Sequence, residues 1–303
     1  MSVPRVSVVV VAYEAREHVL ACLAAVASRV AIAHEVIVVD NASTDGTVAA
    51  VRARFPAATV LANDANAGFS RANNQGIAAA RGEHVLVLNG DAEVGPGSVD
   101  ALAAILDARA DVGIAGPRTR FPDGRIQVSF GPAPGPLAEW RQRGLVLGVR
   151  RGDPAALARA EALAAREHEP AWVSGSCFLA RKSALDAVGG FDEGFFLYEE
   201  DVDLCARVRA AGFRILYTPR AEVVHHLGAS MARAAGRPAL EYHRSHVRLY
   251  AKHAGPASRA LLRASLLARA GIGFARAVAA GDADGRRHAA ALAGIAAGRV
   301  PNR

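Results

Sequence analysis

The sequence predicts an α/β fold: a mostly parallel sheet with helices on both faces, followed by a helical C-terminal appendage. Three observations carry this. Short, uncharged, β-branched runs recur between Val6 and Leu88, and helical apolar patterns separate them. Runs that are apolar throughout, rather than alternating, belong to strands covered on both faces, as in parallel sheets. After Ser230 the chain turns to Ala, Leu and Arg at helical spacing.

The elements follow in order. Residues 6–12 (VSVVVVA) read as a buried strand, and 18–28 carry a helical pattern. Residues 35–39 (EVIVV) form a second strand that stops at Asp40, and Ser43 or Thr44 is expected to cap the next helix. A third strand is expected at 59–62, a third helix at 69–81, and a fourth strand at 84–88 running into Asn89-Gly90-Asp91. From 121 to 151 Gly and Pro are dense, which predicts a loop able to move over a ligand. A helix is expected at 154–167, a strand at 173–180, a helix at 199–211 ending before Gly212, and short strands at 214–217 and 222–226. Residues 238–298 read as helical throughout. The expected division is an α/β domain over 1–231, then the helical appendage over 232–303.

Composition narrows the function. The 303 residues carry a formal charge of +7, which favours anionic partners such as nucleotide phosphates, lipid headgroups or nucleic acid. Three widely spaced cysteines make neither a metal-spaced pair nor a disulfide framework, so a reducing cytoplasm is expected. No signal peptide and no spanning helix is expected.

Four segments carry chemistry. In open α/β sheets ligands bind beyond the carboxyl ends of the strands, where Asp40 and Asp91 both stand. Asp91 and Glu93, one residue apart, offer the hard oxygen ligands that Mg²⁺ or Mn²⁺ prefers; the plainer reading is turn chemistry at Asn-Gly-Asp. Asp40 could accept hydrogen bonds from a base or a ribose, whereas helix capping explains only its neighbours. Glu199, Glu200 and Asp201 fall at a helix start. There the helix dipole favours their charged forms, and burial and mutual repulsion oppose them, a balance that can tune a general base. The plainer reading is an ordinary acidic first turn. His225 and His226 follow a strand and are expected to point in different directions.

Taken together, these stretches resemble the family-two glycosyltransferases, in particular a rhamnosyltransferase-like branch of bacterial cell-surface assembly. The resemblance rests on VSVVVVAY, EVIVVDNASTDGT, NAGFSRANNQG, VLVLNGDAEV, WVSGSCFLAR, VGGFDEGFFLYEEDVDL, EVVHHLGAS and EYHRSHVRLYAKHAG, which lie between residues 6 and 255. It implies a GT-A fold and an inverting, metal-dependent transfer from a nucleoside diphosphate sugar. The resemblance places Asp40, Asn41, Asn66 and Gly68 around the donor. Asp91 becomes the main carboxylate for Mn²⁺ or Mg²⁺, Glu93 takes the second acid position, and His225 closes the metal site. Asp201 becomes the catalytic base. The implied acceptor is a hydroxyl of a glycan or a polyprenyl-linked precursor. The resemblance divides 1–231 into a donor half to about 120 and an acceptor half after it. Leu, Ile and Phe with interspersed Arg at 259–280 could lie on an anionic membrane surface or pack on the catalytic domain or a second subunit, and a cytoplasmic protein peripheral on the inner face of the cell membrane would suit a lipid-linked acceptor. The branch favours a thymidine diphosphate deoxysugar such as rhamnose over a uridine diphosphate hexose. The competing reading is an inactive nucleotide-sugar binding protein of the same fold. Nucleic acid is not expected, because the Arg residues are spread widely and acids cluster at the proposed site.

Overall fold

The computed structural model describes residues 3–227 and 237–299. The segment Gly228-Ala229-Ser230, part of the family-like stretch, and the expected domain boundary at 231/232 lie outside the described residues.

The first half alternates strand and helix. β1 (Val6–Ala12), α1 (Arg16–Arg29), β2 (His34–Asp40), α2 (Thr47–Arg54), β3 (Thr59–Ala62), α3 (Phe69–Ala79) and β4 (His84–Asn89) follow one another. Then come β5 (Ala92–Val94), α4 (Ser98–Ala108) and β6 (Val112–Arg120). β1 lies between β2 and β4, parallel to both, and β3 extends the parallel set beyond β2. The helices after β1 and β3 therefore lead to opposite sides of β1, and the crevice between β1 and β4 is the switch point where such sheets bind ligands.

Period-two alternation explains the continuous valines. Val8 and Val10 face one layer with Val19, Leu23 and Leu102, while Val9 faces the other with Ile37, Ala72 and Ile77. With both faces buried, no position along these strands needs a polar residue.

The second half departs from the sequence expectation. β7 (Ile126–Gln127), β8 (Phe130–Gly131), α5 (Pro136–Arg151) and α6 (Pro154–Ala164) occupy the region. Residues 136–151 are thus a helix, not a loop. Gly and Pro are dense only up to Pro136, which sits in the first helical turn where its missing N–H costs nothing. Leu145 and Val149, four apart, bury the inner face, and Gly144 and Gly148 had masked the pattern.

β9 (Trp172–Val173), β10 (Cys177–Arg181), α7 (Lys182–Val188), α8 (Glu200–Ala210) and β11 (Arg214–His225) complete the sheet. β10 runs antiparallel between β4 and β6, and β5 is antiparallel to β11, so the parallel arrangement holds for β3-β2-β1-β4 and for β6 with β11 only. The two short strands expected at 214–217 and 222–226 are one strand, β11, with a register shift between Thr218 and Glu222. α9 (Arg237–His253), α10 (Pro256–Ala279) and α11 (Ala283–Ala296) end the chain, sharing a small core of Val247, Leu266, Ala270, Leu292 and Ile295.

Candidate active site

The end of β2 makes one wall. Asp40 is 1 % exposed; its Oδ1 accepts from the Ser43 N–H at 2.9 Å, and its Oδ2 is buried with no protein partner. A buried oxygen without a partner is costly, and a ligand hydroxyl or N–H would relieve it. Ser43 and Thr44 do not cap α2, which begins after Gly46. Their groups turn back to the β1 loop instead. Ser43 Oγ accepts from the Glu14 N–H at 2.9 Å, and Thr44 donates to Glu14 Oε1 from its N–H at 2.6 Å and its hydroxyl at 2.9 Å. Glu14 and Ala42 both adopt positive φ, a strained backbone that these contacts hold in place.

Asn41 is committed to the protein. Its Nδ2 donates to the Gly68 carbonyl at 3.2 Å, and its Oδ1 accepts from Asn63 Nδ2 at 2.9 Å. Asn66 is exposed, and its Oδ1 accepts from the Gly68 N–H at 2.9 Å. Gly68 has φ +85°, and a Cβ there would lie 2.6 Å from the Phe196 ring, while the next N–H, of Phe69, donates to the Phe196 carbonyl at 2.7 Å. This loop is where the first half of the chain meets the loop before α8.

The end of β4 makes the second wall. His225 Nε2 lies 3.1 Å from Asp91 Oδ1, and Gln127 holds the other ring nitrogen, with its Nε2 at 3.1 Å and its Oε1 at 3.3 Å from Nδ1. A ring nitrogen facing a carboxylate carries the proton, so Nδ1 here accepts from the Gln127 amide; the same amide, turned over, could accept from a protonated Nδ1. Asn89 Nδ2 is 3.4 Å from His225 Nε2, and Asn89 Oδ1 is buried without a partner.

Glu93 does not join Asp91 and His225. It pairs with His226 at 3.0 Å and lies 3.8 Å from Arg29 of α1; the His226 ring packs 5.1 Å from that of His18. The adjacent histidines thus serve different acids.

Among the described residues, the only group of three side chains close enough to share a metal is Glu83, His84 and Asp107. It sits at the start of β4, roughly 17 Å along the strand from Asn89 at about 3.4 Å per residue. Arg5 pairs with both of its acids, so a guanidinium already supplies the positive charge.

The base candidate sits at the start of α8. Tyr198 and Glu199 take left-handed φ of 71° and 64°, and the helix then begins at Glu200. Asp201 Oδ2 accepts from the Gly175 N–H at 2.7 Å, and Oδ1 accepts from the Val202 N–H at 2.8 Å. Burial pushes the Asp201 carboxyl up to about 6, with the Gly175 N–H opposing and the charge of Glu199 adding to the rise. Burial and the Asp201 charge raise Glu200 well above the ordinary carboxylate range, and its Oε2 is buried without a partner. Asp203 is different. Burial pushes it up, but Lys252, His253 and Arg207 together hold it below the usual range.

A three-residue turn, Ser174-Gly175-Ser176, joins the two walls. The Ser176 carbonyl accepts from the Asn89 N–H at 2.9 Å, and one residue earlier Gly175 donates to Asp201. The position of the acid after β4 and that of the acid on α8 are therefore set by one turn.

α9 braces the strained loop from outside. His246 Nδ1 is 2.9 Å from Glu199 Oε1, its Nε2 is 3.1 Å from Glu139 Oε2 of α5, and Ser245 Oγ donates to the Leu197 carbonyl at 2.7 Å. Burial lowers the His246 pKa, but hydrogen bonds to Glu139 and Glu199 outweigh it and raise the imidazole to about 9. It is an imidazolium held between two carboxylates.

Sequence reasoning missed Gln127, Gly175, Glu139 and His246. Gln127 and Glu139 lie in the stretch that read as a loop. Gly175 and His246 lie in family-like segments, but their partners are distant in sequence and nothing local pointed to a role.

The family described as glycosyltransferase-like family 2 matches residues 4–242. The chain is 36 % identical, over 82 % of its length and 85 % of the relative's, to the N-acetylglucosaminyl-diphospho-decaprenol L-rhamnosyltransferase of Mycobacterium tuberculosis. Its fold matches that of the mannosyltransferase of Pyrobaculum calidifontis solved with GDP-Man and Mn²⁺, with a TM-score of 0.57 at 21 % identity over 99 % of this chain and 88 % of that one. It also matches GalNAc-T7, solved with UDP, GalNAc and Mn²⁺, with a TM-score of 0.59 at 15 % identity over 82 % of this chain and 48 % of that one. These likenesses establish the GT-A architecture. With the family match spanning the whole sheet and both walls of the site, the chain is a glycosyltransferase and belongs to glycosyltransferase family 2.

Proposed function

We propose that the protein moves a sugar from a nucleoside diphosphate donor to an acceptor hydroxyl with inversion at the anomeric carbon. The observation that supports this reading is the shared turn: Gly175 and Ser176 tie Asp201 of α8 and Asn89 at the end of β4 to one three-residue segment, as a base working beside a phosphate-binding edge requires.

Asp201 is the base. A carboxyl raised to about 6 is ionised at neutral pH yet basic enough to take a proton from a hydroxyl in the transition state. The hydroxyl oxygen then attacks the anomeric carbon from the face opposite the leaving diphosphate. One displacement inverts the centre, and no sugar becomes bound to the enzyme. Asp40 offers its unpartnered oxygen to the nucleoside, and Asn41, Asn66 and Gly68 shape the loop beside it.

The donor set fits a divalent cation, Mn²⁺ or Mg²⁺. Asp91 supplies a carboxylate and His225 an imidazole nitrogen 3.1 Å from it, and the orphaned Asn89 oxygen lies in the same corner. Such ions complete their coordination with diphosphate oxygens and water. Bound there, the ion would neutralise the charge of the departing nucleoside diphosphate. For Nε2 to ligate, His225 must carry its proton on Nδ1, where Gln127 can accept it. Glu93, paired with His226, lies outside this set.

The mycobacterial relative's name supports rhamnose as the sugar and a polyprenyl diphosphate-linked acceptor. A lipid-linked acceptor requires access to the bilayer, so we place the enzyme on the inner face of the cell membrane as a peripheral protein; no helix among the described residues is long and apolar enough to cross a membrane. The catalytic domain is taken to end near residue 231, before the C-terminal helices.

Donor hydrolysis by the purified protein tests the reading. A panel of nucleotide sugars is incubated with Mn²⁺, Mg²⁺ or EDTA. Release of one nucleoside diphosphate, lost with EDTA and in Asp91→Ala, is the expected result. A protein that binds a donor calorimetrically but releases nothing, even with acceptor lipid present, would be an inactive binder of the same fold.

A further inference from the structure

α5 and α10 touch each other, and each turns one face outward. On α10 the residues Leu261, Leu267, Ile272, Phe274 and Val278 are between 47 and 57 % exposed. The exposed positions among them are Ala260, Ala264, Ala268, Gly271 and Ala275. At about 100° per residue these side chains fill an outward arc of roughly 160° that contains no charge. Arg269 and Arg276 border the arc on one side, and Arg259 and Arg263 border it on the other. α10 contains no acid.

α5 repeats the chemistry. Trp140 is 72 % exposed and Leu137 is 59 % exposed, with Arg141 and Arg143 exposed beside them and Arg150 and Arg151 exposed at the far end of the helix. The helix has one acid, Glu139, and it points inward to His246 and to the Tyr250 hydroxyl, 2.8 Å away.

An apolar surface of this extent on a soluble chain marks an interaction site. Its arginine borders select the partner. A second copy docked face to face would set these arginines against their own counterparts, because a two-fold contact pairs a patch with itself. A surface of lipid phosphates answers both features at once, taking apolar side chains at headgroup level and arginines at the phosphates. An exposed Trp flanked by Arg suits that boundary.

We propose that the outward faces of α5 and α10 form one docking surface for an anionic lipid bilayer. Glu139, on the inner side of α5, holds His246 and through it the loop before Asp201. Docking through α5 therefore places the acceptor side of the site beside the bilayer. The purpose of this arrangement rests on the lipid-linked acceptor proposed above, but docking itself is read without turnover.

The test is flotation of the full chain with phosphatidylglycerol-containing vesicles and with pure phosphatidylcholine vesicles, alongside Trp fluorescence. The protein is expected to float with the anionic vesicles only, to be released by salt, and to show a blue shift that Trp140→Phe lacks. Each of Arg141→Gln, Arg150→Gln and Arg269→Gln is expected to lower partitioning about fivefold, from roughly 1 kcal/mol per basic residue near the surface. Leu267→Glu/Phe274→Glu/Val278→Glu is expected to abolish flotation while donor hydrolysis persists, which separates failure of docking from failure of the transferase reading. Protein that stays at the bottom of the gradient with anionic vesicles at low salt overturns the proposal. So does a dimer in sedimentation that the triple variant dissociates, since a second copy would then cover the face.

Discussion

The parallel half and the mixed half of the sheet position their acids by different means. In the parallel half, Asp40 and Asp91 stand where buried strands run out, and the strand itself carries each to the crevice. In the mixed half, Asp201 stands on a helix whose entry loop is strained at two residues and is held by Gly175, Ser245 and His246. One half places its acids chiefly where strands end, and the other needs contacts from two distant segments, the Ser174-Gly175-Ser176 turn and α9. The difference teaches that, on the proposed reading, strand ends fix where the donor-side acids emerge, whereas the surroundings of the proposed base set its proton affinity. Burial raises Asp201, a neighbouring carboxylate raises it further, and a turn N–H pulls it back.

The largest effect that would sharpen this contrast is at Asp201 itself. Asp201→Asn should lower transfer by about 10²–10⁴-fold while calorimetry shows donor binding unchanged. Near-normal turnover would remove Asp201 from the base role. Asp91→Ala should come next, with a loss of roughly 10²–10³-fold through weaker metal-dependent donor binding. A metal titration that matches the wild type would show that the end of β4 is not the phosphate edge.

Gln127→Ala probes the boundary between the halves, because Gln127 touches only the far nitrogen of His225. Metal affinity should fall about 10–100-fold with little change in the base. A shifted acid limb in the rate profile would instead mean that the two walls are electrically coupled.

The smallest activity effect is expected at His246. The wild-type rate should fall as pH drops through about 6, where Asp201 takes up a proton. His246→Gln removes the cation facing Glu199, so Asp201 should hold its proton more tightly and that limb should move to higher pH. A merely structural role would lower the rate at every pH without moving the limb. Stability gives a second readout. The folded His246 titrates near 9 against 6.5 for an ordinary imidazole, so its contribution is fully present below pH 6.5 and is lost as pH rises through 9. The melting-temperature gap between wild type and His246→Gln should close over that window. Asp201 has the opposite character for an acid. Its raised pKa means that the folded state holds a costly charge above pH 6, so its contribution to stability should fall as pH rises from 3.8 through about 6, a pH dependence that Asp201→Asn should lack.

Much of the donor side was legible before any coordinates. A β-branched run that ends in an acid encodes both the strand and the place where the acid emerges, which is why Asp40 and Asp91 stood out. The acid-x-acid pattern did not foretell which partner each acid would take. Residues two apart share a face in a strand, but the chain turns between Gly90 and Ala92, and β11 brings a separate histidine to each acid. The helix at 136–151 was hidden because its buried positions are few and two are separated by glycine-bearing turns. Capping at Ser43 and Thr44 failed because Glu14, about thirty residues earlier, occupies their hydroxyls, its N–H donating to Ser43 Oγ and its Oε1 accepting from Thr44, and α2 begins only after Gly46.

Sequence by itself determined the alternating architecture, the family and the identities of the acids, because hydrophobic period and residue type act over a few neighbours. Tertiary structure alone decided which groups meet: His225 with Asp91, His226 with Glu93, Gly175 with Asp201, and His246 with Glu199. Those pairings depend on the insertion of antiparallel β10 between β4 and β6 and on the return of α9 to the loop before α8. Contacts between segments far apart in the chain follow from how layers pack and leave no periodic trace in the residues that make them. The same holds for the acid-free faces of α5 and α10. Their composition is plain in the sequence, but only packing decided which sides of the two helices were left outward.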